Sequence, residues 1–220
     1  MNASTGLFRA FGPLRPAASW AVRRFPWVRR RVWPLVAHDS AFVRRYLDGL
    51  EGIEIGASAH NDYGLNARNV DRYDSMETIY KEEEWSLCGR MRPVDVVAPG
   101  DELPFDDDSV DFVFASHVIE HFPDPIRALE EWLRVARRYV VLVIPHRDRT
   151  FDHDRPLTPI GELVSRHEEG FSSDEDAHWS VWTLESFLEL SSHVELSVVD
   201  YLDPDDKMAN GFVVVLDARG

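Results

Sequence analysis

A single cysteine, Cys88, stands among 220 residues, so no disulfide can form within the chain. Stability must then come from a packed core, and the lone thiol suits a reducing compartment, which makes a cytoplasmic location the expectation. No run approaches about 18 consecutive apolar residues, which excludes a membrane-spanning helix. Internal repeats and low-complexity tracts are missing as well. After the first predicted strand there is no Gly-x-Gly-x-x-Gly fingerprint, which argues against a nicotinamide-dependent dehydrogenase. Basic charge is scarce beyond the start of the chain. Residues 1–50 carry nine arginines against two acids, and the rest carries 15 Lys+Arg against 37 acids, for a net formal charge of -15. So acidic a body repels phosphate backbones, and nucleic acid is not an expected partner.

What remains is a hydrophobic content of 44% in a length that suits one domain with a large core. The boundary falls near residue 38. Residues 1–38 form a basic arm rich in Trp and Phe and broken by Pro13, Pro16, Pro26 and Pro34. The preferred reading is a cover that packs its aromatics on the domain, with peripheral membrane contact as the alternative. Residues 39–220 alternate between the two periodicities. Ser40 is placed to cap a helix over 41–50, and strands are expected at 53–55, 69–73, 95–97, 111–116 and 139–144. Helices are expected at 80–87 and 125–137, with a further one capped by Thr183 and running to about 190. Two last strands, 194–201 and 211–216, are joined by an acidic turn. The order implies an α/β, Rossmann-like, doubly wound and mostly parallel seven-stranded sheet that ends in an antiparallel hairpin.

In such sheets ligands bind beyond the carboxyl ends of the strands. Glu54 lies at the end of the first strand, followed by Gly56, which permits a tight turn toward a ligand. Asp71 ends the second strand. An acidic loop, Asp101-Glu102-Leu103-Pro104-Phe105, feeds the fourth strand, which stops at Ser116-His117. Two acids so placed can bind ribose hydroxyls and an amino acid's ammonium.

With these residues, the stretch 50–145 resembles the class I S-adenosylmethionine-dependent methyltransferases, in particular the small type 11 domains. The resemblance implies S-adenosylmethionine as cofactor. It implies Glu54 and Gly56 along the methionine and ribose part, Asp71 on the ribose and Asp101 with Glu102 at the adenine amino group. Ser116 and His117 come beside the methionine. The family usually writes Gly-x-Gly-x-Gly after the first strand, and here Ser58 and His60 replace the second and third glycines.

Residues 147–182 show little periodicity and are too long for an idle connection, so they are read as a substrate-facing insertion. Histidines gather on the same rim: His117 and His121 after the fourth strand, His146 after the fifth, and His153 and His178 in the insertion. Transfer to a hydroxyl needs proton removal as attack proceeds, and a neutral imidazole suits it. His146 is the first choice for that base, with Asp148 or Asp152 orienting it, while His121 is read as capping or packing the following helix. Arg147, Asp148, His178 and Trp179 are candidate acceptor contacts. The stretch 145–158 looks like the same region in methyltransferases of polysaccharide and glycan biosynthesis, which implies O-methylation of a sugar hydroxyl. Asp148, Asp152, His153 and Asp154 offer oxygen-rich donors for Mg²⁺. Methylation of nitrogen or of a natural-product phenol, a cofactor-binding subunit without turnover, and a homodimer all stay open.

Overall fold

A computed structural model describes residues 39–74 and 77–219. The arm expected over 1–38 lies outside the described residues. Seven strands form one sheet in the order β3-β2-β1-β4-β5-β7-β6. They are β1 (Gly52–Ile55), β2 (Ala67–Asp71), β3 (Val96–Val97), β4 (Val110–Ser116), β5 (Ala136–Pro145), β6 (Val198–Leu202) and β7 (Gly211–Asp217). Every pair from β3 to β5 is parallel, and β7 enters antiparallel between β5 and β6. This is the doubly wound, mixed sheet with a terminal hairpin that the sequence pattern implies. The order reverses direction at β1, which places the switch point between β1 and β4.

Among the described residues the helices are α1 (Ala41–Leu47), α2 (Ile79–Cys88), α3 (Pro125–Val135), α4 (Ile160–Glu168) and α5 (Leu184–His193). Ser40 caps α1 by accepting the Val43 amide, and Asp124 caps α3 by accepting the Arg127 amide, with Pro125 at the first helical position. Thr183 opens α5 in a capping box with Ser186, whose hydroxyl serves where Glu or Gln is usual. None of the described helices is long and apolar enough to cross a membrane.

Alternation along β4 divides the core. Val113 and Ala115 face the layer that holds Trp132 of α3, Leu163 of α4 and Phe187 of α5. Phe112 and Phe114 face the other way, onto Val43 and Leu47 of α1 and onto Tyr63. Burying one such aromatic side chain is worth about 1.5–3 kcal/mol. Gly52 is required where β1 meets β4, because a Cβ there would sit 2.4 Å from the Phe112 carbonyl oxygen.

Two boundaries differ from the sequence pattern for a common reason. β2 begins at Ala67 and β5 at Ala136, both earlier than hydrophobic runs suggest. Ladder pairing extends a strand through polar residues once a neighbour supplies the hydrogen bonds, as Arg68 opposite Ile53 shows. The segment 147–182 has more order than its composition suggests, with short 3₁₀ turns at Arg147–Arg149 and Phe151–Asp154 and the helix α4.

Candidate active site

A cleft of about 1080 Å³ opens over the carboxyl ends of β1, β2, β3 and β4. Its floor begins at Gly56, which takes φ +64° so that the chain leaves β1 in a left-handed turn. A Cβ there would lie 3.1 Å from Val118 Cγ2, so the glycine also lets the two loops close up. Asn69, buried inside β2, holds three segments together. Its Oδ1 accepts the Ala57 amide at 3.0 Å, its Nδ2 donates to the Pro93 carbonyl at 2.8 Å, and its own amide donates to Asp95 at 2.7 Å. No charge or motif flags this residue in the sequence, since a buried Asn at a strand centre carries no pattern.

Several expected residues do converge on the cleft: Gly56, Asp71, Asp101, Glu102, Ser116 and His117 all line it. Asp71 accepts the Tyr73 amide at 3.3 Å and otherwise faces the opening. Asp101 and Glu102 each lie 3.6 Å from the Arg127 guanidinium. Their loop is pinned by Trp132 Nε1, which donates to the Gly100 carbonyl at 2.7 Å. Ser116 accepts from Asn61 Nδ2 at 3.1 Å. His60, in the place of a glycine, lines the cleft with its ring turned onto the Ser58 hydroxyl.

Glu54 stands apart. It is 2% exposed, does not border the cleft, and lies behind the β1 loop against Arg92, whose Nη1 is 3.1 Å from Oε2. Burial pushes its carboxyl up to about 7 against the opposing pull of Arg92.

A second cavity of about 290 Å³ adjoins the first at the ends of β4 and β5. His117, His121 and Asn210 border both, and Glu120, Pro145, Thr150, Phe151 and His178 complete the lining of the smaller one. His117 sits at φ +56°, a left-handed conformation rare for a side chain of its size. Its imidazole is neutral, because burial drives its pKa down to about 4, with His178 adding to the effect and Asp205 opposing it. Glu120 is 1% exposed, and burial raises its carboxyl to about 8. His121 Nδ1 meets Asp176 Oδ1 at 3.1 Å, and His178 Nδ1 meets Asp152 Oδ2 at 2.6 Å. His121 therefore faces this cavity rather than packing against α3, whose cap is Asp124.

Residues 52–144 match a family model described as a methyltransferase domain. Over this stretch the chain is similar to that family. Its fold recurs in a Pyrococcus horikoshii protein at 16% identity and a TM-score of 0.51, over 80% of this chain and 85% of that one. An S-adenosylmethionine-dependent methyltransferase of Thermotoga maritima aligns at 18% identity and a TM-score of 0.49, over 96% and 98% of the two chains. One from Methanosarcina mazei aligns at 15% identity and 0.49, over 82% and 98%. No curated protein matches the sequence.

The matched stretch ends within β5, and the residues expected to touch the acceptor follow it. They scatter. His146 borders neither cavity: its Nδ1 accepts the Asp148 amide at 3.1 Å, and its ring meets Phe212 edge-on. Arg147 and Asp148 pair with each other at 2.8 Å beside that turn. Trp179 packs edge-on against Phe171, which lines the larger cleft, while its own ring does not. Of these five, only His178 borders either cavity. The donors expected for Mg²⁺ do not gather either. Asp152 is 2% exposed and holds His178 and Arg155, so that burial, which would raise its pKa, is outweighed by these two partners. Among the described residues the metal-competent group is Glu120, His121 and His178 instead.

Proposed function

We propose that the chain methylates a hydroxyl of a small, sugar-like acceptor, with S-adenosylmethionine in the larger cleft and the acceptor in the smaller cavity. The observation that carries this reading is the junction of the two cavities at His117, beyond the carboxyl ends of β1, β4 and β5 in a chain similar to a methyltransferase domain. The cleft suits the cofactor. Gly56 leaves room that a Cβ would fill, Asp71 offers a carboxylate to ribose hydroxyls, and Asp101 with Glu102 offers acceptors to an adenine amino group. When bound, the cofactor supplies an electrophilic methyl on a sulfonium.

The chain's own part is alignment and proton removal. Asn61 and Ser116 fix the floor beneath the donor's end of the cleft. Polar groups of the smaller cavity, Asn210, Thr150 and the histidines, offer a hydroxylated acceptor directional hydrogen bonds. His117, shared by both cavities, is the group placed to take the hydroxyl proton. The role that the sequence pattern assigns to His146 passes to His117 because His146 borders neither cavity.

Calorimetry with S-adenosylmethionine on the folded chain is expected to show one site, and the absence of heat at millimolar cofactor would overturn the reading. Transfer of labelled methyl is then scored over paired unmethylated and methylated saccharides, small amines and phenols. His117→Ala should slow transfer at least tenfold while cofactor affinity holds. His146→Ala is the comparison: a larger loss there would return the base to the turn after β5. Cofactor binding with no transfer to any acceptor would favour a binding subunit.

A further inference from the structure

We propose that Glu120, His121 and His178 form a binding site in the smaller cavity for a first-row divalent cation of the Zn²⁺ type. One donor atom from each of the three lies within 4.8 Å of the others. Two imidazoles and one carboxylate are a donor set that suits zinc and leaves a coordination position open. Nitrogen donors disfavour Mg²⁺, which prefers oxygen.

The surroundings orient these donors. His121 presents Nδ1 to Asp176 at 3.1 Å, and His178 presents Nδ1 to Asp152 at 2.6 Å, so each ring keeps Nε2 for the cavity. A carboxylate behind each ligating imidazole fixes its tautomer and raises its basicity. His121 Nε2 is 4.0 Å from Glu120 Oε1, and Glu120 Oε2, on a side chain 1% exposed, has no hydrogen-bond partner among the described residues. Leaving a buried carboxyl oxygen without a partner is costly, and a cation at this point would satisfy it. Glu120 and His178 lie 58 positions apart in sequence, yet their segments are tied together, because the Trp179 and Ser180 amides both donate to the Glu120 carbonyl, at 2.7 and 3.3 Å. Ligands about 2.1 Å from a tetrahedral ion would stand about 3.4 Å apart, so binding requires the side chains to close by about an ångström through rotation. Any part the ion plays toward an acceptor rests on the proposed transfer reaction, but its binding does not.

The test uses the full chain without an affinity tag, stripped of metal, with Zn²⁺ followed by calorimetry and Co²⁺ by visible absorption. One equivalent of Zn²⁺ per chain and a Co²⁺ d–d band are expected. Glu120→Gln and His178→Ala should each weaken binding tenfold or more, and Asp152→Asn by less. Circular dichroism checks folding; if His178→Ala does not fold, the near-isosteric Glu120→Gln decides. Folded wild-type chain that shows neither Co²⁺ band nor Zn²⁺ heat would overturn the site. So would stoichiometric binding that Glu120→Gln leaves unchanged, since the ion would then sit elsewhere. S-adenosylmethionine binding is measured on the same metal-free samples: its loss would count against the transfer reading and not against the metal site.

Discussion

Arg92 holds its Nη1 3.1 Å from Glu54 Oε2, and the same nitrogen lies 3.4 Å from Asp62, so one guanidinium serves a buried acid and the loop that follows β1. Its Nη2 donates to the Ala67 carbonyl at 3.2 Å and its backbone amide to Glu84 at 2.8 Å. Glu54, which the sequence pattern places at a ligand, lies in the fold against Arg92 and does not border the cleft.

Glu54 should therefore make stability fall as pH rises. Its carboxyl keeps a proton up to about 7 in the folded chain but only to the ordinary carboxylate range when unfolded. Folding takes up a proton between those values, so the contribution is whole below about 4.5 and is lost on approach to 7. The span is worth about 3 kcal/mol. Urea unfolding of wild type and Glu54→Gln at a series of pH values should show the variant gaining on wild type by that order between pH 5 and 8. Parallel curves would show that Glu54 ionises normally.

Lys81 and Glu84 form a second buried pair, at 2.7 Å on successive turns of α2, and both are closed to solvent. Lys81 Nζ also donates to the Arg92 carbonyl, and Glu84 Oε2 accepts the Arg92 amide, so the pair clamps the strand-ward end of the 89–95 loop. Glu84→Ala leaves a buried ammonium unpaired and should cost about 3–5 kcal/mol. Replacing both by Met should cost clearly less than Glu84→Ala alone, which a double-mutant cycle by chemical unfolding would read.

Gly56→Ala tests the turn that opens the cleft. A side chain at φ +64° costs about 1–2 kcal/mol, and the new Cβ would press on Val118 at 3.1 Å. Lower Tm together with weaker S-adenosylmethionine binding is expected. Loss of stability with binding intact would mean that the cofactor does not approach this loop.

Most of the architecture is legible in the sequence because each local signal agrees with the packing. Ser40, Asp124 and Thr183 cap the helices they precede, and the β-branched run of β5 is buried throughout its second half. The helix α4 escapes notice because Pro159 gives it no side-chain cap and only Leu163 is fully buried. At the site, residues at strand tips are readable, since topology alone carries Asp71, Asp101 and Ser116 to one edge. The smaller cavity is not. Glu120 passes for one more acid in an acidic chain, and what sets it apart is its burial in the fold, where the Trp179 and Ser180 amides bond its carbonyl from a distant part of the sequence. His146 looks like the stronger base by position after β5, but the turn that follows engages its Nδ1 with the Asp148 amide.

Asp71 offers the sharpest separation of binding from folding. Its carboxylate is half-buried at the tip of β2, and its one bond to the described backbone is the long Tyr73 contact of 3.3 Å. Removing it should leave stability within about 0.5 kcal/mol of wild type. The proposed ribose contact is a hydrogen bond to a charged acceptor, whose loss is worth about 1.5–3 kcal/mol. Asp71→Ala should accordingly weaken S-adenosylmethionine roughly tenfold to a hundredfold in calorimetry, with Tm unmoved in the absence of cofactor. Unchanged affinity would remove Asp71 from the cofactor site. A fall in Tm without cofactor would instead show that the β2 tip depends on this side chain, and the affinity loss could not then be read as a lost ribose contact.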